Sequence, residues 1–230
     1  MRFPVSLGLT LGTMAAANLT THRLGPVADV PVAVGLVGAL SVVARASDLR
    51  ADDLGLARST WPSGLRWGGA AAVIVAAGYG VAALIPAVRD AVAAPTESWQ
   101  AALVRSLVVI GVVTVIPEEF AFRGVLWGLL RRESGRRVAT VVSSVVFGLW
   151  HIFPALGGGG ANDSVVGILG DGPAGTLLRV AGTVLFTGLA GVLLCELRAR
   201  SGSLLAPILL HWAVNGLGEL FLQLGALPGP

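Results

Sequence analysis

The sequence predicts an all-α fold, a polytopic bundle of about seven transmembrane helices, with six to eight as the range. Hydrophobic residues make up 54% of the 230 positions, charged residues make up only 13%, and the mean hydropathy is +0.80. An ordinary soluble domain carries about 25% charged residues, and a disordered chain needs low hydrophobicity with high net charge. The composition therefore argues against both a soluble enzyme and a disordered chain.

Apolar runs separated by charged or Pro/Gly-rich segments define the individual spans, because a helix crosses the hydrocarbon core with about 20 apolar residues. We expect the spans at 5–21, 27–44, 67–88, 101–130, 138–153, 176–197 and 203–222. The chain then divides into N-terminal spans over 1–100, a core over 101–222 and a tail over 223–230. The Gly-rich, polar segment 156–174 is expected to be an extramembrane loop, with a short re-entrant piece around 165–169.

The fourth predicted span is too long for one straight crossing, and it contains Pro117. Proline cannot donate a hydrogen bond to the carbonyl of Val113, and its ring clashes with that turn. We therefore predict a kink at this point.

Arginine placement predicts the orientation of the chain. All 16 basic residues are arginine. The segments assigned to one side hold eleven of them: Arg2, Arg45, Arg50, Arg58, Arg66, Arg131, Arg132, Arg136, Arg137, Arg198 and Arg200. The other side holds two, Arg23 and Arg89. The positive-inside rule then predicts a cytoplasmic N-terminus and an outside C-terminus.

Two further expectations concern location and partners. The use of arginine alone suggests a prokaryotic source and hence a prokaryotic cell membrane. The formal net charge is only +3, and no basic stripe alternates with aromatic residues, so we expect no nucleic-acid partner. Residues 1–21 are interpreted as a retained span, with a signal peptide as the open alternative.

Three of the predicted spans contain polar or ionisable residues, which are costly inside a bilayer and therefore indicate function. They are Glu118, Glu119 and Arg123 in the fourth span, His151 in the fifth, and His211 and Asn215 in the seventh. Counting helical rise from the nearest cytoplasmic arginines places Glu118, His151 and His211 at a common depth of roughly 16–21 Å. We infer that they converge on one site.

Spacing suggests a role for each of these groups. Glu119 and Arg123 stand at i,i+4, the favourable order for an ion pair within a helix, and we interpret that pair as structural. Glu118 points about 100° away and is free to act elsewhere. Together with a histidine such as His151, a carboxylate can activate water as a general base.

The seventh span supplies the second half of this chemistry. His211 and Asn215 share one helix face and can donate hydrogen bonds to a developing oxyanion. Phe147, one turn before His151, is expected to form a packing wall for that imidazole. Each group taken alone has a structural alternative, as a core histidine or an interhelical hydrogen bond. Their shared depth favours a water-using hydrolase.

The motifs also resemble a known family. Glu-Glu-x-x-x-Arg at 118–123, Phe-x-x-x-His at 147–151 and His-x-x-x-Asn at 211–215 are similar, in this order, to the motifs of the CAAX protease and bacteriocin-processing family. That family contains the type II CAAX prenyl endopeptidases and the bacterial Abi proteins. The resemblance covers about residues 100–216, and the segment 53–56 is similar to a loop common in the family.

The resemblance implies an intramembrane endopeptidase whose cavity opens toward the cytoplasm. By that resemblance Glu118 and His151 would activate water, His211 and Asn215 would stabilise the oxyanion, and Glu119 would belong to the supporting groups with Arg123. The expected partners are membrane lipid and a peptide or protein substrate, lipid-modified or not.

Metal dependence and two other functions remain open alternatives. The sequence has no His-Glu-x-x-His motif, yet one glutamate and two histidines could supply the three protein ligands of a catalytic zinc. We expect no cofactor, because Asn215 is a poor zinc ligand and a good oxyanion donor. The other functions are a non-catalytic family member, such as an immunity protein or a scaffold, and a proton-coupled transporter. The transporter is disfavoured, because the sequence shows no paired repeats.

Overall fold

The computed structural model describes residues 1–91, 98–157 and 172–223, and these ranges contain helices and no strand. The α-helices are α1 (Phe3–Leu24), α2 (Asp29–Ala46), α3 (Ala51–Leu54), α4 (Trp61–Ala83), α5 (Pro86–Ala91), α6 (Trp99–Val104), α7 (Ile116–Glu119), α8 (Trp127–Trp150), α9 (Ile152–Leu156), α10 (Pro173–Ser201) and α11 (Leu205–Leu222). Two π-helical segments, Arg105–Val115 and Phe120–Leu126, flank α7. The all-α prediction is confirmed.

Five helical stretches in the described ranges are long and apolar enough to cross a membrane: Phe3–Ala46, Arg58–Ala83, Trp99–Leu156, Pro173–Ser201 and Leu205–Leu222. The first and third each reverse direction, so each covers two of the seven predicted spans.

Both reversals are held by contacts between the segments that they join. In the first stretch, the amino group of Met1 donates to the carbonyl of Ala46, which brings the far ends of α1 and α2 together. In the third, Gly135 within α8 has φ +83°, a conformation that favours glycine. The indole of Trp127 donates across this turn to Thr140 at 3.4 Å. The chain is therefore a multi-span helical bundle.

The third span lies earlier in the chain than predicted, and the prolines explain the difference. The sequence predicted 67–88, whereas α4 covers Trp61–Ala83. Pro62 stands in the first turn, where a missing N–H costs no hydrogen bond. Pro86 cannot donate to the carbonyl of Ala82, so α4 ends before it and α5 begins as a separate helix.

The helix around Pro117 has widened turns on both sides of the proline. The π-helical segments on either side of α7 shift the hydrogen-bond register to i→i+5. The hydroxyl of Thr114 also donates to a carbonyl five residues earlier, that of Val109, at 3.2 Å. Glu118 and Glu119 therefore lie on a short α-helical segment between two stretches of altered register.

The segments assigned by arginine placement to one side meet at one end of the bundle. Arg132 donates to the carbonyls of Ser47 and Asp48, and Arg136 pairs with Glu196. These contacts join the end of α2, the turn within α8 and the end of α10. The expected re-entrant piece at 165–169 and the tail beyond Gln223 lie outside the described residues.

Candidate intramembrane active site

A buried ion pair forms the base of the site. Arg123 Nη1 donates to Glu119 Oε1 at 2.9 Å, and both side chains are fully buried. The second guanidinium nitrogen of Arg123 donates to the carbonyl of Gly191 on α10 at 3.4 Å. The guanidinium carbon also lies 4.1 Å from the ring centroid of Phe147. This is the i,i+4 pair that the sequence predicted, and it links three helical segments.

His211 lies between the two glutamates. Its Nδ1 is 2.8 Å from Glu119 Oε1, and its Nε2 is 3.9 Å from Glu118 Oε2. Because the Glu119 carboxylate already accepts a hydrogen bond from Arg123, the Nδ1–H of His211 is the donor in this contact. Glu119 thus fixes the orientation of the imidazole, with Nε2 toward Glu118.

Glu118 is held by an indole. Trp150 Nε1 donates to Glu118 Oε1 at 3.0 Å, and the carboxylate side chain is 12% exposed. The backbone carbonyl of Trp150 in turn accepts a hydrogen bond from Asn18 Nδ2 of α1 at 2.9 Å. Glu118, Trp150 and Asn18 line a cavity of about 220 Å³ together with Thr114 and Asp29.

His151 is held through one ring nitrogen. Its Nδ1 lies 2.7 Å from the carbonyl of Phe147, and since a carbonyl only accepts, Nδ1 is the donor in this contact. The Phe147 ring packs edge-on against His151 at 4.7 Å and against His211 at 5.7 Å between centroids. Phe147 thus packs against both histidines, whereas the sequence predicted only its contact with His151.

A large cleft joins four of the predicted site residues. Phe147, His151, His211 and Asn215 line a cleft of about 700 Å³, whose remaining walls are mostly apolar residues of α4, α10 and α11. Glu118 belongs to the other cavity, and no hydrogen bond or ion pair of the described residues joins it to His151. The structure places Glu118 beside His211 and Trp150, and its joint action with His151, which the family resemblance implied, stays a prediction.

The possible metal ligands of the site are divided between two cavities. No cluster of three or more His, Cys, Asp or Glu residues within 1–91, 98–157 and 172–223 is arranged to hold a metal ion. One nitrogen of His211 is engaged by Glu119, and Glu118 faces a different cavity from His151. A zinc centre needs three such ligands converging on one point.

Two contributors to this site were missed from the sequence, Trp150 and Asn18. A signal was present for the first. An indole N–H inside a membrane needs an acceptor, and the neighbouring spans offer few acceptors other than Glu118 and Glu119. Asn18 gave no comparable signal, because its partner is a backbone carbonyl.

Together the fold and the site define a polytopic membrane protein with carboxylates and histidines assembled inside its helical bundle. The family model described as type II CAAX prenyl endopeptidase Rce1-like matches residues 99–217. The chain belongs to this family, as the three motifs indicated. No curated protein and no solved structure matches the chain. Family membership indicates an integral membrane protease that acts on a peptide or protein substrate.

Proposed function

We propose that the protein hydrolyses a peptide bond within the membrane through a glutamate-dependent, metal-independent mechanism. The observation that carries this proposal is the placement of His211. It contacts both glutamates and also lines the cleft that contains His151 and Asn215. One imidazole therefore connects the carboxylates to the place where a substrate would lie.

Water activation is assigned to Glu118 and His151. The indole of Trp150 donates to Glu118 Oε1 and so holds the carboxylate in place. His151 is held through Nδ1 by the carbonyl of Phe147. A water activated by Glu118 and His151 loses a proton as its oxygen attacks the substrate carbonyl. The C–N bond then breaks, and the proton passes to the leaving amine. Catalytic hydrogen bonds are often long before substrate binds, so the separation of the two groups is compatible with this role.

Oxyanion stabilisation is assigned to His211 and Asn215. Arg123 donates to Glu119 Oε1, and the same carboxylate oxygen accepts the Nδ1–H of His211. In the proposed role the Nε2–H of His211 donates to the negative oxygen of the tetrahedral intermediate. The Asn215 amide on the same helix face supplies a second donor.

The cleft favours an apolar substrate. Its walls include Val75 of α4, Phe186 and Leu193 of α10, and Val214 of α11. Such walls suit a hydrophobic peptide segment or a lipid-modified peptide, because they offer few hydrogen-bond partners to a polar chain. We propose that the substrate enters between these helices with its scissile bond at His211.

A reconstituted cleavage assay tests the assignment. The full chain is placed in liposomes and supplied with fluorogenic peptides, both unmodified and prenylated. Glu118→Gln should lower kcat by about 10²–10⁴-fold, and His211→Ala by about 10²–10³-fold. Two matched controls, Glu133→Gln and His22→Ala, alter an exposed carboxylate and a histidine that stacks on Phe153. Both should retain activity.

The same preparation separates the alternatives. Cleavage that survives both Glu118→Gln and His211→Ala would refute the catalytic assignment. Proton-coupled solute uptake without cleavage would identify a transporter. A wild-type protein that cleaves no peptide yet protects cells against a bacteriocin would identify a non-catalytic member.

We further propose that the arginine-rich end of the bundle faces the cytoplasm of a prokaryotic cell. The contacts of Arg132 with Ser47 and Asp48 gather segments from α2 and α8 at that end, in agreement with the positive-inside rule. Cysteines introduced singly at Arg50 and Arg23 should react with membrane-impermeant reagents from opposite sides of sealed vesicles. Labelling of both from the same side would contradict this topology.

A further inference from the structure

A cavity lined by arginines lies at the arginine-rich end of the bundle, away from the cleft. Its volume is about 330 Å³. The charged side chains in its wall are Arg131, Arg136, Arg198 and Asp52, and Trp127 forms its apolar side. We call it the arginine cavity. Nothing in the proposed peptidase chemistry uses it.

Arg198 is a buried cation in this wall. The residue is 1% exposed, and its Nη2 donates to the carbonyls of Asp52 and Asp53 at 3.0 and 2.9 Å. These bonds cap the end of α3, but carbonyl dipoles do not neutralise a full charge. The Nε of Arg198 is buried and has no hydrogen-bond partner among the described residues. The charge of this guanidinium is therefore only partly compensated by its hydrogen bonds.

A second cation shares the same aromatic ring. The guanidinium carbons of Arg198 and Arg131 lie 5.0 and 5.4 Å from the centroid of Trp127. Arg131 is exposed and forms no ion pair within the described part of the chain. Two like charges this close to one ring repel each other, and a bound anion that contacts both would reduce that repulsion.

The acidic groups nearby balance only part of this charge. Glu196 is shared between Arg136 and a second arginine 3.4 Å away. The carboxylates of Asp52 and Asp53 lie close enough to attract Arg198. Among the charged side chains that line the cavity itself, three are arginines and one is an aspartate.

We propose that the arginine cavity binds a phosphate group. A guanidinium presents paired N–H donors that match phosphate oxygens, and such charge-assisted contacts are among the strongest hydrogen bonds in proteins. The cavity lies at the end that the positive-inside rule places in the cytoplasmic leaflet, where anionic lipid headgroups concentrate and basic pockets between helices bind them. The phosphate comes either from such a headgroup or from a free anion.

Thermal stability of the full chain in lipid nanodiscs tests this proposal. Nanodiscs of phosphatidylcholine alone are compared with nanodiscs that also contain phosphatidylglycerol. In a separate arm, inorganic phosphate is titrated at constant ionic strength onto the phosphatidylcholine sample. Each arm uses wild type, Arg131→Gln and the matched control Arg137→Gln, an exposed arginine on the same helix that does not line the cavity. Circular dichroism first establishes that both variants are folded.

We expect phosphatidylglycerol to raise the Tm of wild type and of Arg137→Gln, with an apparent affinity about tenfold weaker in Arg131→Gln. Saturation by inorganic phosphate alone, again weakened in Arg131→Gln, would identify a free anion as the source and still support the site. Equal responses of the two variants, or no response of wild type to either ligand, would overturn the proposal. Peptidase activity is not part of this measurement, so its outcome is independent of the proposed function.

Discussion

Replacing Trp150 with phenylalanine tests whether the indole positions Glu118. The substitution removes the N–H that donates to Glu118 Oε1 at 3.0 Å and keeps an aromatic ring. The ring contact with Phe122, edge-on at 5.5 Å between centroids, should therefore persist. Packing is largely preserved, so the principal loss is one hydrogen bond to a carboxylate.

The magnitude follows from that single bond. A hydrogen bond to a charged group contributes about 1.5–3 kcal/mol, which corresponds to about 10–150-fold in rate at 1.36 kcal/mol per factor of ten. Glu118 is 12% exposed and borders a cavity, so a water can replace part of the lost interaction. We therefore expect kcat to fall by about tenfold, at the lower end of that range. KM should stay unchanged, because Trp150 does not line the substrate cleft.

The chain offers a close control in Trp212. This tryptophan also neighbours a site histidine, and its indole donates to the carbonyl of Ser106 at 3.1 Å. Trp212→Phe should cost a comparable amount of stability, about 1 kcal/mol for a neutral hydrogen bond, and leave kcat within about twofold. Steady-state cleavage kinetics and thermal unfolding of both variants provide the comparison. Equal losses of kcat in the two variants would refute the positioning role of Trp150.

Three further predictions concern the ion pair, a helix contact and metal. Arg123→Met leaves Glu119 buried without its cation and should cost about 3–5 kcal/mol of stability. Adding Glu119→Gln in a double variant should restore part of that loss. If chemical unfolding shows that the losses of the two single variants simply add, this reasoning is wrong. Gly148→Ala places a Cβ 2.6 Å from the carbonyl oxygen of Val184 and should cost about 1–3 kcal/mol, whereas Gly182→Ala, with open space around it, should leave Tm unchanged or higher. Peptide cleavage should persist after treatment with a chelator, and a loss of activity that zinc restores would exclude the metal-independent mechanism.

The closeness of Glu118 and His211 could be predicted from the sequence, because rise along a helix follows from counting residues. The counts for Glu118, His151 and His211 needed only the fixed rise of about 1.5 Å per residue. His211 contacts Glu118 and Glu119, while the depth of the site in the membrane stays a prediction. The i,i+4 pair of Glu119 and Arg123 was predictable for the same reason, since both partners lie on one helix.

The partners across helices could not be predicted in this way. Which side chain Glu118 meets depends on the rotation of its helix about its own axis, and each residue of altered register turns a helix face by about 100°. The π-helical segments around Pro117 introduce such changes immediately before and after Glu118. Spacing therefore left the partner of Glu118 open, and the folded chain presents it to Trp150 and His211.

The site also depends on a helix outside the region that carries the motifs. Trp150 is the last residue of α8, and the final carbonyls of a helix have no partner within it. Water is scarce at this depth in a bilayer, so an unpaired carbonyl there is costly. Asn18 of α1 supplies the missing donor, and in doing so it fixes the backbone that carries Trp150 and the adjacent His151. The family match begins at residue 99, yet the orientation of Glu118 rests, through Trp150, on an amide eighteen residues from the N-terminus.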